Sequence, residues 1–245
     1  MPVAVVSGAS GGIGSAIARR LASDGMQVVV GFNANVDGAQ AVVESLPGEG
    51  HRTARMPMTD SDALSQVANE LKETISSVDA LVNCAGVTQP VAHSDLDGLD
   101  DELIDRIFAT NWRGPFATIR AFHPLLEAAD APVIVNISSV AGVTGQGSNV
   151  AYCASKAALD SMTRSLARSL GPKVRAVSVS PGWVLGEYAE RMPSEALDVQ
   201  RDATPLARLA TGEDVGAAVS AVIHHLPFTT GSIITVDGGR PLGTS

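Results

Sequence analysis

The segment YCASK, residues 152–156, sets a phenol and an ammonium four residues apart with only small side chains between them. On a helix the two share a face, one turn apart. Such a pair commonly amounts to a half-buried tyrosine beside a lysine that snorkels to water. It can also be a proton donor with its tuning charge. A free phenol titrates near about pH 10, and a neighbouring cation favours the phenolate and lowers that value. Position separates the two readings. The apolar run PVIVNIS (132–138) ends in the pair Ser138-Ser139, ahead of the helix that carries Tyr152. A hydroxyl at the carboxyl end of a strand stands where open α/β sheets bind ligands. There it can hold a carbonyl oxygen that gains negative charge while the phenol supplies a proton. The chemistry on offer is proton transfer to or from an oxygen that gains or loses negative charge.

The elements that must position these groups alternate along the chain. Strands are expected at 3–7, 27–32, 52–56, 80–83, 132–138, 174–180 and 232–236. Helices are expected at 12–24, 37–46, from an Asp60 N-cap to about 74, over 100–128 with bends at Pro115 and Pro124, and over 151–170 before Gly171-Pro172. Short Val/Ile runs between helices indicate a parallel sheet covered on both faces. The fold class is α/β: one doubly wound Rossmann-type domain over 1–245, with a parallel seven-stranded sheet flanked by helices. Its cofactor half spans about 1–130 and its catalytic and substrate half about 131–245. The stretch 183–212 is the least regular, and loops of that length are usually functional.

The first strand runs into SGASGGIG (7–14), with Gly8, Gly12 and Gly14 opening a helix. A turn of this kind presents backbone N–H groups and a helix N-terminus to a pyrophosphate. With NCAG (83–86), Asn111, ISS (137–139), YCASK, the Pro181-Gly182 pair and VDGG (236–239), in this order, the chain resembles the short-chain dehydrogenase/reductase family. Within it the chain is most similar to β-ketoacyl carrier-protein reductases and related carbonyl reductases.

The resemblance implies roles residue by residue. Ser139, thirteen residues before Tyr152, would hold the substrate oxygen. Tyr152 would be the acid in reduction and the base in oxidation. Lys156 would tune it and hydrogen-bond the nicotinamide ribose. Asn111 would relay protons through a water near the lysine, although an asparagine inside a helix also serves as an ordinary backbone partner. Gly8, Ser10, Gly11, Gly12, Ile13 and Gly14 would cradle the cofactor, with Asn33, the Met58 backbone, Asn83, Ala85 and Gly86 along the adenosine side. Pro181, Gly182 and Val184 would meet the nicotinamide. A homotetramer is implied as well, pairing helices near 100–128 and 151–170 between subunits.

The chain departs from the family at three places. Gly186 stands where a threonine often meets the carboxamide, leaving that contact to backbone or to Glu187. Pro57 replaces an aspartate that reads the adenine, and Ser7 replaces a threonine. At the end of the second strand GFNAN (31–35) has no acid to bond a ribose 2′-hydroxyl and repel a 2′-phosphate. It also lacks the usual arginines, since Gly11 and Ala34 occupy those sites, while Asn33 and Asn35 can donate neutral hydrogen bonds. NADP(H) is therefore favoured over NAD(H).

Composition limits the rest. A net charge of -9 argues against a nucleic-acid surface, and no apolar run is long enough for a membrane span. The N-terminus lacks the basic region of a signal peptide, and Cys84 and Cys153 suggest no disulfide, so a reduced cytoplasmic protein is expected. The five histidines show no metal spacing; His224-His225 reads as a helix end, and Cys153 as packing rather than a nucleophile. Residues 94–102 read as a solvated acidic loop entering a helix, and Asp79 as a local strand cap. Trp183 and Met192 point to an apolar pocket. The expected activity is NADP(H)-dependent ketone–alcohol interconversion on a small-molecule or acyl-thioester carbonyl substrate, of the 3-oxoacyl reductase kind. Alternatives are a dinucleotide-binding sensor or scaffold without turnover, an NAD-dependent alcohol dehydrogenase of the same fold, and a lyase variant.

Overall fold

A computed structural model describes residues 1–186, 189 and 193–242; Glu187 and Met192 lie outside the described residues. Seven strands form one parallel sheet: β1 (Val3–Ser7), β2 (Gln27–Phe32), β3 (Arg52–Arg55), β4 (Ala80–Asn83), β5 (Val133–Ile137), β6 (Arg175–Pro181) and β7 (Ile233–Val236). Their order is β3-β2-β1-β4-β5-β6-β7. The chain builds outward from β1 to β3, then crosses back to lay β4 on the other side of β1. Ser7 pairs with Asn83 where the order reverses, and the crevice beyond those carboxyl ends is where such sheets take ligands.

β1, β4 and β5 are buried along their whole length because helices cover both faces, which is why they read as continuous apolar runs rather than alternating ones. On one face Ile17 and Leu21 of α1 (Gly12–Ser23), Val42 of α2 (Val36–Ser45) and Val215, Val219 and Val222 of α9 (Gly212–His224) share a core with Val6, Val28, Val30, Val135 and Val177. On the other, Leu64 and Leu71 of α3 (Ser61–Lys72), Phe122 and Leu126 of α5 (Gly114–Glu127) and Leu159 of α7 (Val150–Leu170) pack on Val5, Val29, Leu81 and Ile134. The remaining α-helices among the described residues are α4 (Asp101–Phe108), the short α6 (Ala141–Thr144) and α8 (Ser194–Asp202).

Asp60 caps α3 as expected, accepting from the Asp62 and Ala63 amides. Asp100 caps α4 after the exposed loop, and Asp79 accepts from the Val3 amide at 2.7 Å to tie β1 to the start of β4. Three expectations need correction. The helical region 100–128 is α4, a π-helical turn at Ala109–Arg113, and α5. Pro115 sits in the first turn of α5, directly after the π-helical turn, so the change of helix type falls just before the residue that lacks an N–H. Residues 183–212 hold α8 and a parallel bridge between Val184 and Ala210, so the stretch is more regular than its composition suggests. α9, anticipated only through its histidine end, begins with a Thr211–Asp214 capping box. A Cβ at its Gly212 would lie 2.8 Å from that of Ala16, so the residue that obscures the helix in sequence permits its close contact with α1.

A fully buried polar seam crosses the middle of the sheet. Asn83 Nδ2 donates to Asn136 Oδ1 at 2.9 Å, Asn136 Nδ2 donates to Thr163 Oγ1 at 2.8 Å, and Thr163 and Ser178 share a hydroxyl hydrogen bond of 2.9 Å. Val in place of Thr163 keeps the volume and strands two buried partners. Thr163→Val should destabilise the protein by about 1–3 kcal/mol, read as a lower urea midpoint with unchanged slope.

Candidate active site

A cavity of about 1070 Å³ runs along the carboxyl ends of the strands. At one end lies the turn after β1. A Cβ on Gly14 would fall 2.3 Å from the Gly8 carbonyl oxygen, so the first turn of α1 closes against the loop only with glycine there. Gly12 holds a φ of +54°, and a Cβ on it would enter open space. The first turn of α1 has no side-chain cap and no acidic residue, which leaves its N–H groups and positive dipole end available to an anion. These features fit a dinucleotide pyrophosphate.

Most of the residues singled out from the sequence line this one cavity. Gly8, Ser10, Gly11, Ile13, Gly14 and Asn33 line its first part, followed by Met58, Ala85 and Gly86. Ser139, Tyr152 and Lys156 line the middle with Pro181, Gly182 and Val184. Gly12 is exposed at the turn and does not line the cavity, while Asn83 and Asn111 stand behind the wall. Asn83 belongs to the buried seam, and Asn111 is fully buried in the π-helical turn. The Asn111 amide clasps the loop after β4, with Oδ1 accepting from the Val87 N–H at 2.8 Å and Nδ2 donating to the Val87 carbonyl and to Ser155 Oγ. A Cβ on Gly86 would lie 3.4 Å from Asn111 Oδ1 and 3.7 Å from Lys156 Nζ, so Gly86 adjoins both groups. At Gly186 a Cβ would meet nothing within 4 Å.

α7 starts where it does because Asn149, itself buried, accepts from the Tyr152 amide at 2.7 Å. Its Nδ2 donates to the Gln89 carbonyl at 2.8 Å, so one side chain fixes both the helix start and the loop facing it. One turn on, Lys156 is 5% exposed. It does not snorkel. Its Nζ donates to the Ile137 carbonyl at 2.8 Å and lies 5.8 Å from the centroid of the Tyr152 ring. Burial lowers the Lys156 pKa to about 8, opposed by Cys84 and Asp160. Ser138 Oγ donates to the Lys156 carbonyl, while Ser139 Oγ accepts from the Ala141 amide at the start of α6. Burial pushes the Cys84 thiol up to about 12 and raises that of Cys153, so neither is a ready thiolate.

Asp160 escaped the sequence reading. It is 2% exposed, and neither carboxyl oxygen has a hydrogen-bond partner. Its spacing of four from Lys156 is the signal that could have found it, the same spacing that links Lys156 to Tyr152.

The family described as enoyl-(acyl carrier protein) reductase matches residues 8–240. The chain is 34% identical to cis-4-hydroxycyclohexanecarboxylate dehydrogenase of Sinomonas cyclohexanicum, covering 97% of this chain and 95% of that protein. It is 30% identical to the 3-oxoacyl-(acyl-carrier-protein) reductase FabG of Staphylococcus aureus, covering 96% of each. The crystal structure of a short-chain dehydrogenase/reductase of the glucose/ribitol dehydrogenase type from Brucella melitensis superposes with a TM-score of 0.90 at 28% identity, over 98% of this chain and 96% of that one.

The groups facing the Lys156 ammonium are Cys84 from the end of β4 and Tyr152 and Asp160 from its own helix. Removing the Asp160 charge takes away one of the two influences that hold the lysine pKa up. In Asp160→Asn the ammonium should be lost at lower pH, moving the alkaline limb of kcat/KM down by about one pH unit. A merely structural role for Asp160 would lower stability and leave that limb in place.

Proposed function

The chain belongs to the short-chain dehydrogenase/reductase family and is an NAD(P)-dependent oxidoreductase acting on CH–OH donors, and from that premise we propose that it reduces a ketone of the 3-oxoacyl kind to a secondary alcohol with NADP(H). The observation that carries this reading is the buried Lys156 ammonium beside Tyr152, in one cavity with Ser139. The nicotinamide, when bound, supplies the hydride to the carbonyl carbon. Ser139 holds the carbonyl oxygen as negative charge develops on it. Tyr152 gives that oxygen its proton, so ketone, hydride and proton yield the alcohol, and the reverse path returns the proton to the phenolate. Lys156 stabilises that phenolate through its charge and holds the cofactor ribose. Asn111 and Asn149 position the loop 84–91 and the start of α7 on either side of the reacting atoms.

The preference for NADP(H) rests on the end of β2 and on one residue that the GFNAN segment does not contain. No carboxylate occurs at 31–35. Arg55, at the end of the neighbouring β3, donates from Nε to the Asn33 carbonyl at 3.4 Å, and a guanidinium beside the end of β2 supports the reading, because it is the group that suits a 2′-phosphate. Asn35 uses its Oδ1 to cap α2. The curated relatives act on a carrier-bound 3-oxoacyl group and on a free hydroxy acid; both reactions join a ketone to a secondary alcohol.

Tyr152→Phe should abolish turnover of every ketone and leave NADPH binding within about twofold; turnover persisting in that variant would overturn the assignment. Arg55→Ala should raise KM for NADPH about tenfold, the worth of a hydrogen bond to a charged group. KM for NADH should stay unchanged, with both cofactors followed by nicotinamide absorbance.

A further inference from the structure

The cavity carries a charge pattern opposite to that of the chain. The protein has a net charge of -9, yet no Asp or Glu lines the cavity among the described residues. Its lining includes two strong cations, Lys156 and Arg240. Lys156 is accounted for by Tyr152 and the cofactor ribose. Arg240 is not. It follows β7 through a turn at Gly238 and Gly239 that packs on Thr204 and Pro205, so its backbone is anchored to the segment after α8. Its Nη2 donates to Gln200 Oε1 of α8 at 3.0 Å. Its Nε is buried without a hydrogen-bond partner, and no carboxylate pairs with it among the described residues. By contrast Arg208 grips Asp214 through both terminal nitrogens at 2.6 and 2.8 Å. A partly buried guanidinium cannot shed its proton, and its desolvation is offset only by an acceptor, best of all a planar carboxylate.

We propose that Arg240 is the specificity-determining residue for a carbonyl substrate bearing a free carboxylate, bound with its ketone at Ser139 and Tyr152 and its anionic end at the Arg240–Gln200 pair. This rests on the ketone-reductase reading above and narrows it, because the cofactor needs no second cation at this end and a neutral thioester leaves the guanidinium uncompensated. Gln200 holds one edge of the fork, and the carboxylate takes the remaining donors.

The test compares NADPH oxidation with 4-oxocyclohexanecarboxylate and 5-oxohexanoate, each beside its methyl ester, and with the neutral N-acetylcysteamine thioester of acetoacetate. At least one keto acid should be reduced with kcat/KM more than tenfold above its own ester and above the thioester. Arg240→Met, which keeps the apolar stem, should raise KM for that acid about 10- to 100-fold. Its kcat, the rates with the esters and the Kd for NADPH should remain within about twofold. Arg240→Lys should restore part of the loss. Esters or thioester used as well as the acids, or an acid-to-ester ratio unmoved in Arg240→Met, would overturn the carboxylate assignment while leaving the reductase reading intact. A change in oligomeric state without a change in that ratio would also overturn it, by giving Arg240 to a second copy of the chain. No reduction of any of the five compounds would overturn the reductase reading itself, and the inference with it.

Discussion

An ammonium kept out of water is the constraint on which the site depends. Lys156 sits almost wholly buried, and the helix that carries it could sit elsewhere more cheaply if its side chain reached solvent. Three features make the burial tolerable: the Ile137 carbonyl that accepts from Nζ, the Asp160 charge one turn on, and the tyrosine ring beside it. Each fixes something else. The carbonyl ties α7 to the carboxyl end of β5 and so to Ser139. Asp160 has no hydrogen bond of its own, and its carboxyl is bearable in the interior chiefly because a cation is near. A lysine whose pKa falls to about 8 still carries its charge at neutral pH. There it can act on a phenol more strongly than in water, because the surrounding dielectric is low.

Two asparagines set the geometry around that charge. Asn111 and Asn149 come from different elements, yet both reach the loop after β4, at Val87 and Gln89. Backbone pairing between Val91 and Ser148, a hydroxyl contact between Thr88 and Ser148, and His93 against the Gly147 carbonyl close the same seam. One wall of the cavity is therefore held by side-chain amides rather than by the sheet. The glycine turn at the other end is held by close backbone approach at Gly8 and Gly14 and by the Ala9 amide, which donates to the Gly31 carbonyl at 2.7 Å. A dinucleotide lying between them would meet rigid partners at both ends, which lowers the ordering cost of binding.

The parallel sheet and its seven strands were legible because β1, β4 and β5 are buried on both faces and therefore spell themselves as Val/Ile runs, whereas the strand order came only from the structure. The tyrosine–lysine–serine group was legible through i,i+4 spacing and through the strand that Ser138 and Ser139 follow. What escaped follows a pattern. α9 hides behind glycines that exist for contact with α1, and α8 is a polar helix with no buried residue to mark its face. Arg55 was not legible beside GFNAN because it reaches the end of β2 from β3, across a strand pairing. Asp160 and Arg240 were missed because their meaning lies in what fails to pair with them, and a missing partner leaves no trace in sequence. Asn111 shows the reverse case. Of the two roles weighed in the sequence, a proton relay and a backbone partner, the fold shows the second, at Val87.

The π-helical turn at Ala109–Arg113 has a bearing on how this chain can change. It holds one residue more than a regular helix would place there, and one residue corresponds to about 100° of helical rotation. α4 can therefore direct Leu103 and Ile107 toward α7, while α5 directs Phe122 and Leu126 into the core under the sheet. Deleting a single residue from this turn would straighten the helix and bring the two faces into phase, swinging polar positions of α5 inward and carrying Asn111 away from Val87. Substitutions here face only local tests of fit, but a change of length faces the whole core at once. The segment thus acts as a fixed phase offset between two helices, and divergence from this sequence can rewrite its residues far more readily than its count.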